Sequence, residues 1–182
     1  MKKEVNAFDY AGDICKALPK GILMTTKNGD FVNTMVIGWG HIGIEWGRPI
    51  FVAYVRESRH TKQMVEEGGE FTVNVPVGEL DPAIIRICGS RSGRDMDKIK
   101  ELGLHLEESN AVSVPGIKEL PLTLECKVIY KQKQDLSAIP EDIIRRYYPE
   151  TPGVTYAGES RDYHIAYYGQ IVGAYMITDE AE

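Results

Sequence analysis

The segment ILMTTKNGDFVNTMVI, residues 22–37, decides the fold class of this chain. It contains two β-like runs, 22–26 and 31–37, on either side of Asn28-Gly29. Asn-Gly favours a type I′ turn, because both central residues of that turn need a positive φ. The segment therefore predicts an antiparallel hairpin closed by a tight turn.

Outside this hairpin the chain shows more strands than helices. Since the pattern does not alternate strand and helix as βαβ units do, it predicts an antiparallel barrel with peripheral helices. Glycines inside strands are typical of bulges, of the sharp bends of a small barrel, or of a backbone that a ligand approaches closely. Further strands are predicted at 50–55, 71–75, 122–130 and 163–177, and short helices at 8–18, 59–68, 82–88, 94–102 and 140–148.

Length and composition indicate one globular domain, residues 1–182. The 27 acidic residues exceed the 21 basic ones, and the formal charge of −6 argues against nucleic acid and anionic membranes as partners. The three cysteines lie far apart and form no C-x-x-C motif, which favours reduced thiols. Because no signal segment or membrane span is recognisable either, we expect a cytoplasmic protein.

One tempting motif is rejected. GWGHIG, residues 38–43, matches the dinucleotide pattern G-x-G-x-x-G. That pattern binds a pyrophosphate only when it opens a helix, whose N-terminus then faces the phosphate. Here it ends a β-like run, and Gly47-Arg48-Pro49 would stop any helix after a few residues. A bent barrel strand is the better interpretation.

Two basic segments could bind an anion. RESRHTK, residues 56–62, lies between a strand and a helix, with Ser58 placed as N-cap and a local charge of about +2. GSRSGR, residues 89–94, has a glycine at each end and two hydroxyls, which suits an anion-binding loop. The alternatives are a capped helix with solvated charges and an ordinary loop between helices.

A third segment, residues 33–37, places Asn and Thr within an otherwise apolar strand. A strand that turns its backbone toward a flat heteroaromatic ring would have this pattern, and so would an edge strand with ordinary polar residues. The histidines have no metal-ligand spacing, and no nucleophile elbow occurs, so the sequence predicts neither a metal site nor catalytic side chains.

Taken in order, these segments resemble the flavin reductase-like family of FMN-binding split barrels, which includes flavoredoxins. The resemblance covers about residues 17–177 and depends on the order of the motifs as well as on their content. The motifs are PKGI (19–22), NTMVIGW (33–39), RESRHT (56–61), FTVNVP (71–76), CGSRSGRD (88–95) with Asp97-Lys98, and His164 with Tyr168-Gly169.

The resemblance implies a mainly β, Greek-key split barrel that forms a homodimer and binds one non-covalent FMN per subunit near the interface. Asn33, Thr34, Met35 and Val36 would then lie against the isoalloxazine ring. The phosphate would be held by Arg56, Ser58, Arg59 and Thr61, with His60 standing where many relatives carry Tyr. Ser90, Ser92 and Lys98 would approach the cofactor from their own subunit or the other, and His164 and Tyr168 would close the site near the ring.

Three functions remain open at this point. The first is an oxidoreductase that passes reducing equivalents from NAD(P)H through FMN to free flavin, ferric complexes or a partner. The second is a flavoredoxin-type electron carrier whose partner is another redox protein, because no nicotinamide motif is recognisable. The third is a barrel without redox function or with another ligand such as haem, for which the sequence offers no axial ligands.

Overall fold

The computed structural model describes residues 1–151 and 161–178. Its strands are Lys2–Glu4 (β1), Ile22–Asn28 (β2), Phe31–Ile37 (β3), Gly40–Glu45 (β4), Arg48–Arg56 (β5), Glu70–Val75 (β6), Leu106–Glu107 (β7), Gly116–Ile117 (β8), Leu122–Lys133 (β9) and His164–Ile177 (β10). Its helices are Ala11–Ala17 (α1), His60–Gly68 (α2), Pro82–Ser90 (α3), Lys98–Glu101 (α4) and Glu141–Tyr147 (α5), with 3-10 turns at Ala7–Tyr10, Leu18–Lys20 and Leu136–Ala138.

Eight strands form one antiparallel sheet in the order β3-β2-β6-β9-β10-β5-β4, and β1 pairs with β10. The predicted antiparallel architecture with short helices is therefore confirmed. Among the described residues the sheet path does not close, so β3 and β4 are its two ends. β10 changes register at Tyr168/Gly169 and again at Ile171/Gly173, which confirms that glycines mark bulges there.

The first hairpin is present, but its predicted turn is wrong by one residue. Asn28 pairs with Phe31, so the two-residue loop is Gly29-Asp30. Only Gly29 has a positive φ, 56°, which is the pattern of a type II′ turn with glycine first. The type I′ pattern occurs instead between β4 and β5, where Trp46 and Gly47 have φ values of 52° and 68°.

The cap of α2 and the length of α4 also differ from the predictions. The N-cap of α2 is Arg59, whereas the Ser58 N–H and hydroxyl both donate to the Asp162 carboxylate, at 2.9 and 2.6 Å. A distant carboxylate thus replaces the local capping contact. The predicted helix 94–102 shrinks to α4, because Asp97 accepts from the Lys100 N–H and so caps the helix there.

The main core is formed by buried side chains from most strands of the sheet, such as Phe51, Phe71 and Val73. A second cluster, which includes Leu23, Ile84 and Cys88, attaches α3 to the outside of the sheet. This packing brings the end of α3 and the loop after it against β3. In the described part of the chain, every helix is too short or too polar to cross a membrane.

Candidate functional site

A cavity of about 140 Å³ lies where β3, the N-terminus of α2 and the loop after α3 meet. We call it the cationic cavity, because the described residues that line it include four cationic side chains and no carboxylate. The cations are Arg59, Arg91, Arg94 and Lys98, and the other lining residues are Asn33, Met35, Val36, Ser58, His60, Thr61, Cys88, Gly89, Ser92 and Gly93.

Lys98 is the most unusual of these residues, because only 3% of its surface is exposed. Burying an ammonium group is costly unless an anion compensates its charge. None of the ion pairs between described residues includes Lys98. Burial lowers the pKa of Lys98, and the neighbouring Arg59 acts in the same direction. An anionic ligand in the cavity would supply the missing counter-charge.

The N-terminus of α2 forms the second wall of the cationic cavity. Backbone N–H groups at a helix N-terminus lack partners within the helix and favour an anion. Asn33 donates to the Thr61 hydroxyl at 2.9 Å, which ties β3 to the first turn of α2. Buried Nδ1 of His60 has no hydrogen-bond partner among the described residues. Burial lowers the pKa of His60, and the nearby cations Arg94 and Lys98 act in the same direction.

The loop after α3 closes the cavity through a very close approach at Gly93. A Cβ atom on Gly93 would lie 2.1 Å from Asn33 Oδ1 and 3.2 Å from His60 Cδ2. Only glycine therefore allows the loop to lie at this distance from β3. Two hydrogen bonds hold the loop, since Arg94 donates its N–H to Ser92 Oγ at 3.1 Å and its guanidinium to the Ser58 carbonyl at 3.2 Å.

A second cavity, of about 210 Å³, adjoins the first and shares Met35, Val36 and Arg59 with it. We call it the aromatic cavity, because the Trp39 and His164 rings in its wall lie with their centroids 4.6 Å apart. β3 is an edge strand, so one side of its backbone pairs with no other strand of the described residues. The cavity is lined by Met35, Val36, Ile37, Gly38, Trp39, Tyr54, Arg56, Arg59 and His164.

A third cavity, of about 430 Å³, opens next to the aromatic cavity, and we call it the outer cavity. The two share Gly38, Trp39 and Tyr54. The described residues that line the outer cavity carry no Asp, Glu, Lys or Arg, in contrast to the cationic cavity. Its other lining residues are Cys15, Leu18, Pro19, Gly40, His41 and Gln134.

Most of the residues that the sequence assigned to the site line one of the first two cavities. Nine of them line the cationic cavity: Asn33, Met35, Val36, Ser58, Arg59, His60, Thr61, Ser92 and Lys98. Arg56 and His164 line the aromatic cavity instead. The Arg56 guanidinium donates to the backbone carbonyls of Asp162, at 2.7 Å, and Tyr147, at 3.0 Å. It therefore links the end of β5 to α5 and to the segment before β10.

Three assigned residues line neither of these two cavities. The Thr34 side chain is buried and its hydroxyl bonds with that of Thr25 at 3.0 Å, so it does not line either cavity. The Ser90 hydroxyl donates to the Arg86 carbonyl at 2.7 Å. Tyr168 lies further along β10, where its ring centroid is 5.0 Å from that of Tyr130.

The sequence-based site set omitted several lining residues. Arg91, Gly93 and Arg94 belong to the motif GSRSGR, so the two charges and the glycine could have identified them as site residues from the sequence. Tyr54 gave no such signal, because it lies in a strand that reads as continuous apolar core. Among the described residues, no group of three or more His, Cys, Asp and Glu could hold a metal ion.

Comparison with known proteins identifies the family of this chain. The model of the flavin reductase like domain matches residues 17–182, almost the entire chain. The chain belongs to the flavin reductase-like domain family. The resemblance inferred from the motifs is therefore confirmed.

Individual relatives are more distant. An uncharacterized protein of Archaeoglobus fulgidus is 35% identical over 97 residues, which are 53% of this chain and 54% of that protein. The chain spans just over half the length of the curated relatives that it matches.

Two solved structures share the fold. A flavoredoxin from Methanosarcina acetivorans superimposes with a TM-score of 0.62 and 22% identity, over 89% of this chain and 70% of that one. An FMN-binding domain of a flavin reductases-like enzyme from Shewanella baltica has a TM-score of 0.61 and 17% identity, over 97% and 77% of the two chains.

Proposed function

We propose that this chain is a single-domain flavoprotein oxidoreductase that binds FMN non-covalently across the cationic and aromatic cavities. The observation that carries the proposal is the buried Lys98, which lines a cavity with three arginines and lacks a counter-charge among the described residues. The similar domain from Shewanella baltica is described as FMN-binding. Membership in the flavin reductase-like family supports the same class of function.

The two cavities fit the two ends of FMN. A phosphate monoester requires cations and N–H donors, which Arg59, Lys98 and the N-terminus of α2 supply in the cationic cavity. A planar ring system requires apolar walls and backbone donors and acceptors, which 35–39 and the ring of Trp39 supply in the aromatic cavity. Because the cavities share Met35, Val36 and Arg59, one ligand can occupy both.

Bound FMN would supply the electron-transfer chemistry, and the protein would bind, orient and shield the cofactor. We propose NAD(P)H as the donor, and free flavin, ferric complexes or a redox protein as acceptors. The uncharged outer cavity supports this proposal, because it adjoins the aromatic cavity and could receive the planar ring of a reactant. A flavoredoxin-type carrier would use a redox protein in place of NAD(P)H.

We also propose that the chain functions as a homodimer, as the family resemblance implies. The edge strand β4 and the adjoining surface expose large apolar side chains, with Ile44 at 65% and Trp46 at 59% exposure. Tyr130 and Tyr168 extend this patch, and their ring centroids lie 5.8 and 6.3 Å from that of Trp46. A second copy that covers the patch would bury it and would give Tyr168 a role at the interface.

The test is the visible spectrum of the purified protein after incubation with FMN and removal of unbound cofactor. We expect the two bands of oxidised flavin in stoichiometric amount, and anaerobic NADH or NADPH should bleach them. Failure to retain FMN would refute the proposed cofactor. Retained FMN that bleaches with a reduced ferredoxin but with neither nucleotide would favour the electron carrier.

A further inference from the structure

One wall of the aromatic cavity is a histidine enclosed by aromatic rings. His164 is only 7% exposed, although it begins strand β10. The ring centroids of Trp39, Tyr148 and Tyr54 lie 4.6, 5.6 and 6.4 Å from that of His164. Such an enclosure fixes the plane of the imidazole and leaves its nitrogen atoms as the polar groups in an apolar wall.

The hydrogen bonds of Tyr148 determine which nitrogen carries the proton. The Tyr148 hydroxyl lies 2.6 Å from Gln134 Oε1 and 2.8 Å from His164 Nδ1. In this orientation of the Gln134 amide its oxygen, rather than its NH2 group, faces the hydroxyl. A carbonyl oxygen can only accept, so the hydroxyl donates its one proton to Gln134. Nδ1 of His164 must therefore be protonated and donate to the hydroxyl oxygen. The backbone N–H of Gln134 also donates to the backbone carbonyl of His164 at 3.2 Å, which keeps the two residues in register.

The remaining nitrogen, Nε2, then carries a lone pair and no proton. Burial lowers the pKa of His164 to about 3, and Arg56 and Arg59 act in the same direction, so the ring is neutral. Nε2 has no hydrogen-bond partner among the described residues, yet it is absent from the fully enclosed unpartnered atoms. Because His164 lines the aromatic cavity, this acceptor is available to a ligand there.

We infer that His164 Nε2 accepts a hydrogen bond from an N–H group of the ligand in the aromatic cavity, with Tyr148 and Gln134 as positioning residues. The inference rests on the proposed function and names the chemistry that the site selects, a planar heteroaromatic ring with an imide or amide N–H. Two ligands carry such a group, the imide of the flavin and the carboxamide of a nicotinamide. His164 cannot donate a proton to the ligand in this arrangement, because its only N–H, at Nδ1, donates to the Tyr148 hydroxyl.

The first experiment reads the tautomer by NMR of the full chain labelled with ¹⁵N-histidine, with His164→Gln to assign the signal. We expect an unprotonated Nε2 in the ligand-free protein and a shift of its signal when FMN or the nucleotide binds. Tyr148→Phe should give a mixture of tautomers. Tyr147→Phe is the matched control, since the Tyr147 hydroxyl makes no hydrogen bond within the described residues, and it should behave as wild type. A proton on Nε2 in the wild type would overturn the inference.

The second experiment identifies the N–H donor with two analogues that lack it. N3-methyl-FMN is compared with FMN in binding, and the 3-acetylpyridine analogue of NADH is compared with NADH in the anaerobic bleaching rate. In wild type we expect about tenfold discrimination in one comparison, because the analogue leaves a buried acceptor unpaired. In Tyr148→Phe, which keeps the shape of the wall, the discrimination should fall to about twofold or less.

The two comparisons separate the possible sources of the hydrogen bond. Discrimination in the flavin comparison assigns the donor to the cofactor, and discrimination in the nucleotide comparison assigns it to the reductant. No discrimination in either comparison, or equal discrimination in wild type and Tyr148→Phe, overturns the inference. Failure to bind FMN would refute both the proposed function and the ligand contact. The NMR measurement of the tautomer needs no ligand, so it tests the hydrogen bonds of His164 independently of FMN binding.

Discussion

Replacing Lys98 by Met should change stability and FMN affinity in opposite directions. In the FMN-free protein the buried ammonium lacks a counter-charge among the described residues, and Met fills a similar volume without charge. Removal of an uncompensated buried charge should raise the free energy of unfolding by roughly 1–3 kcal/mol. The same change removes one charge-assisted hydrogen bond to the phosphate, so FMN should bind about 10- to 150-fold more weakly, which corresponds to roughly 1.5–3 kcal/mol.

The pH dependence provides a second readout of the same group. The pKa of Lys98 in the folded protein lies below the ordinary value of 10.5, so the unfolded chain binds the proton more strongly. The stability of the FMN-free wild type should therefore rise as pH increases from the folded pKa toward 10.5. This increase should be missing in Lys98→Met, and the difference between the two proteins isolates Lys98 from other titrating groups.

Urea unfolding with and without FMN, together with calorimetric titration of FMN, measures both effects. Lys100→Met is the matched control, because Lys100 lies on the same short helix with an exposed side chain and should leave both quantities nearly unchanged. If Lys98→Met destabilised the FMN-free protein and left FMN affinity unchanged, Lys98 would be a structural residue. The argument for a phosphate in the cationic cavity would then fail.

Three other substitutions test the loop, the exposed patch and the buried histidine. Gly93→Ala should lower the free energy of unfolding in urea by roughly 1–3 kcal/mol and weaken FMN binding, because its Cβ would lie 2.1 Å from Asn33 Oδ1. Gly89→Ala is the control and should be tolerated. Equal effects at the two positions would contradict the packing argument. Trp46→Glu should convert a dimer into a monomer in sedimentation experiments while FMN binding persists in part, and an unchanged mass would place the interface elsewhere. As pH falls from 6.5 to about 3, the wild type should lose up to about 1.4 kcal/mol of stability per pH unit relative to His164→Gln, because His164 is protonated in the unfolded chain before it is protonated in the folded one. Parallel curves of stability against pH for the two proteins would refute a buried neutral imidazole.

The sequence by itself determined the architecture and the approximate position of the site. The hairpin at 22–37, the glycines of β10 and the basic motif GSRSGR are local patterns, in which neighbours along the chain decide the outcome. Local patterns of this kind identify a strand, a bulge or a positive segment without knowledge of the rest of the fold. Even here the exact turn and the cap at Ser58 were wrong, because the register of β2 with β3 and the distant Asp162 decided them.

Only the tertiary structure decided what the individual side chains can do. Lys98 is buried because α4 packs against β3, and nothing near position 98 in the sequence predicts that burial. The need for glycine at position 93 depends on Asn33, far away in the chain. The tautomer of His164 depends on Tyr148 and on Gln134. Burial, close approach and shared protons arise between segments that are distant in sequence, so they become visible only once the chain is folded.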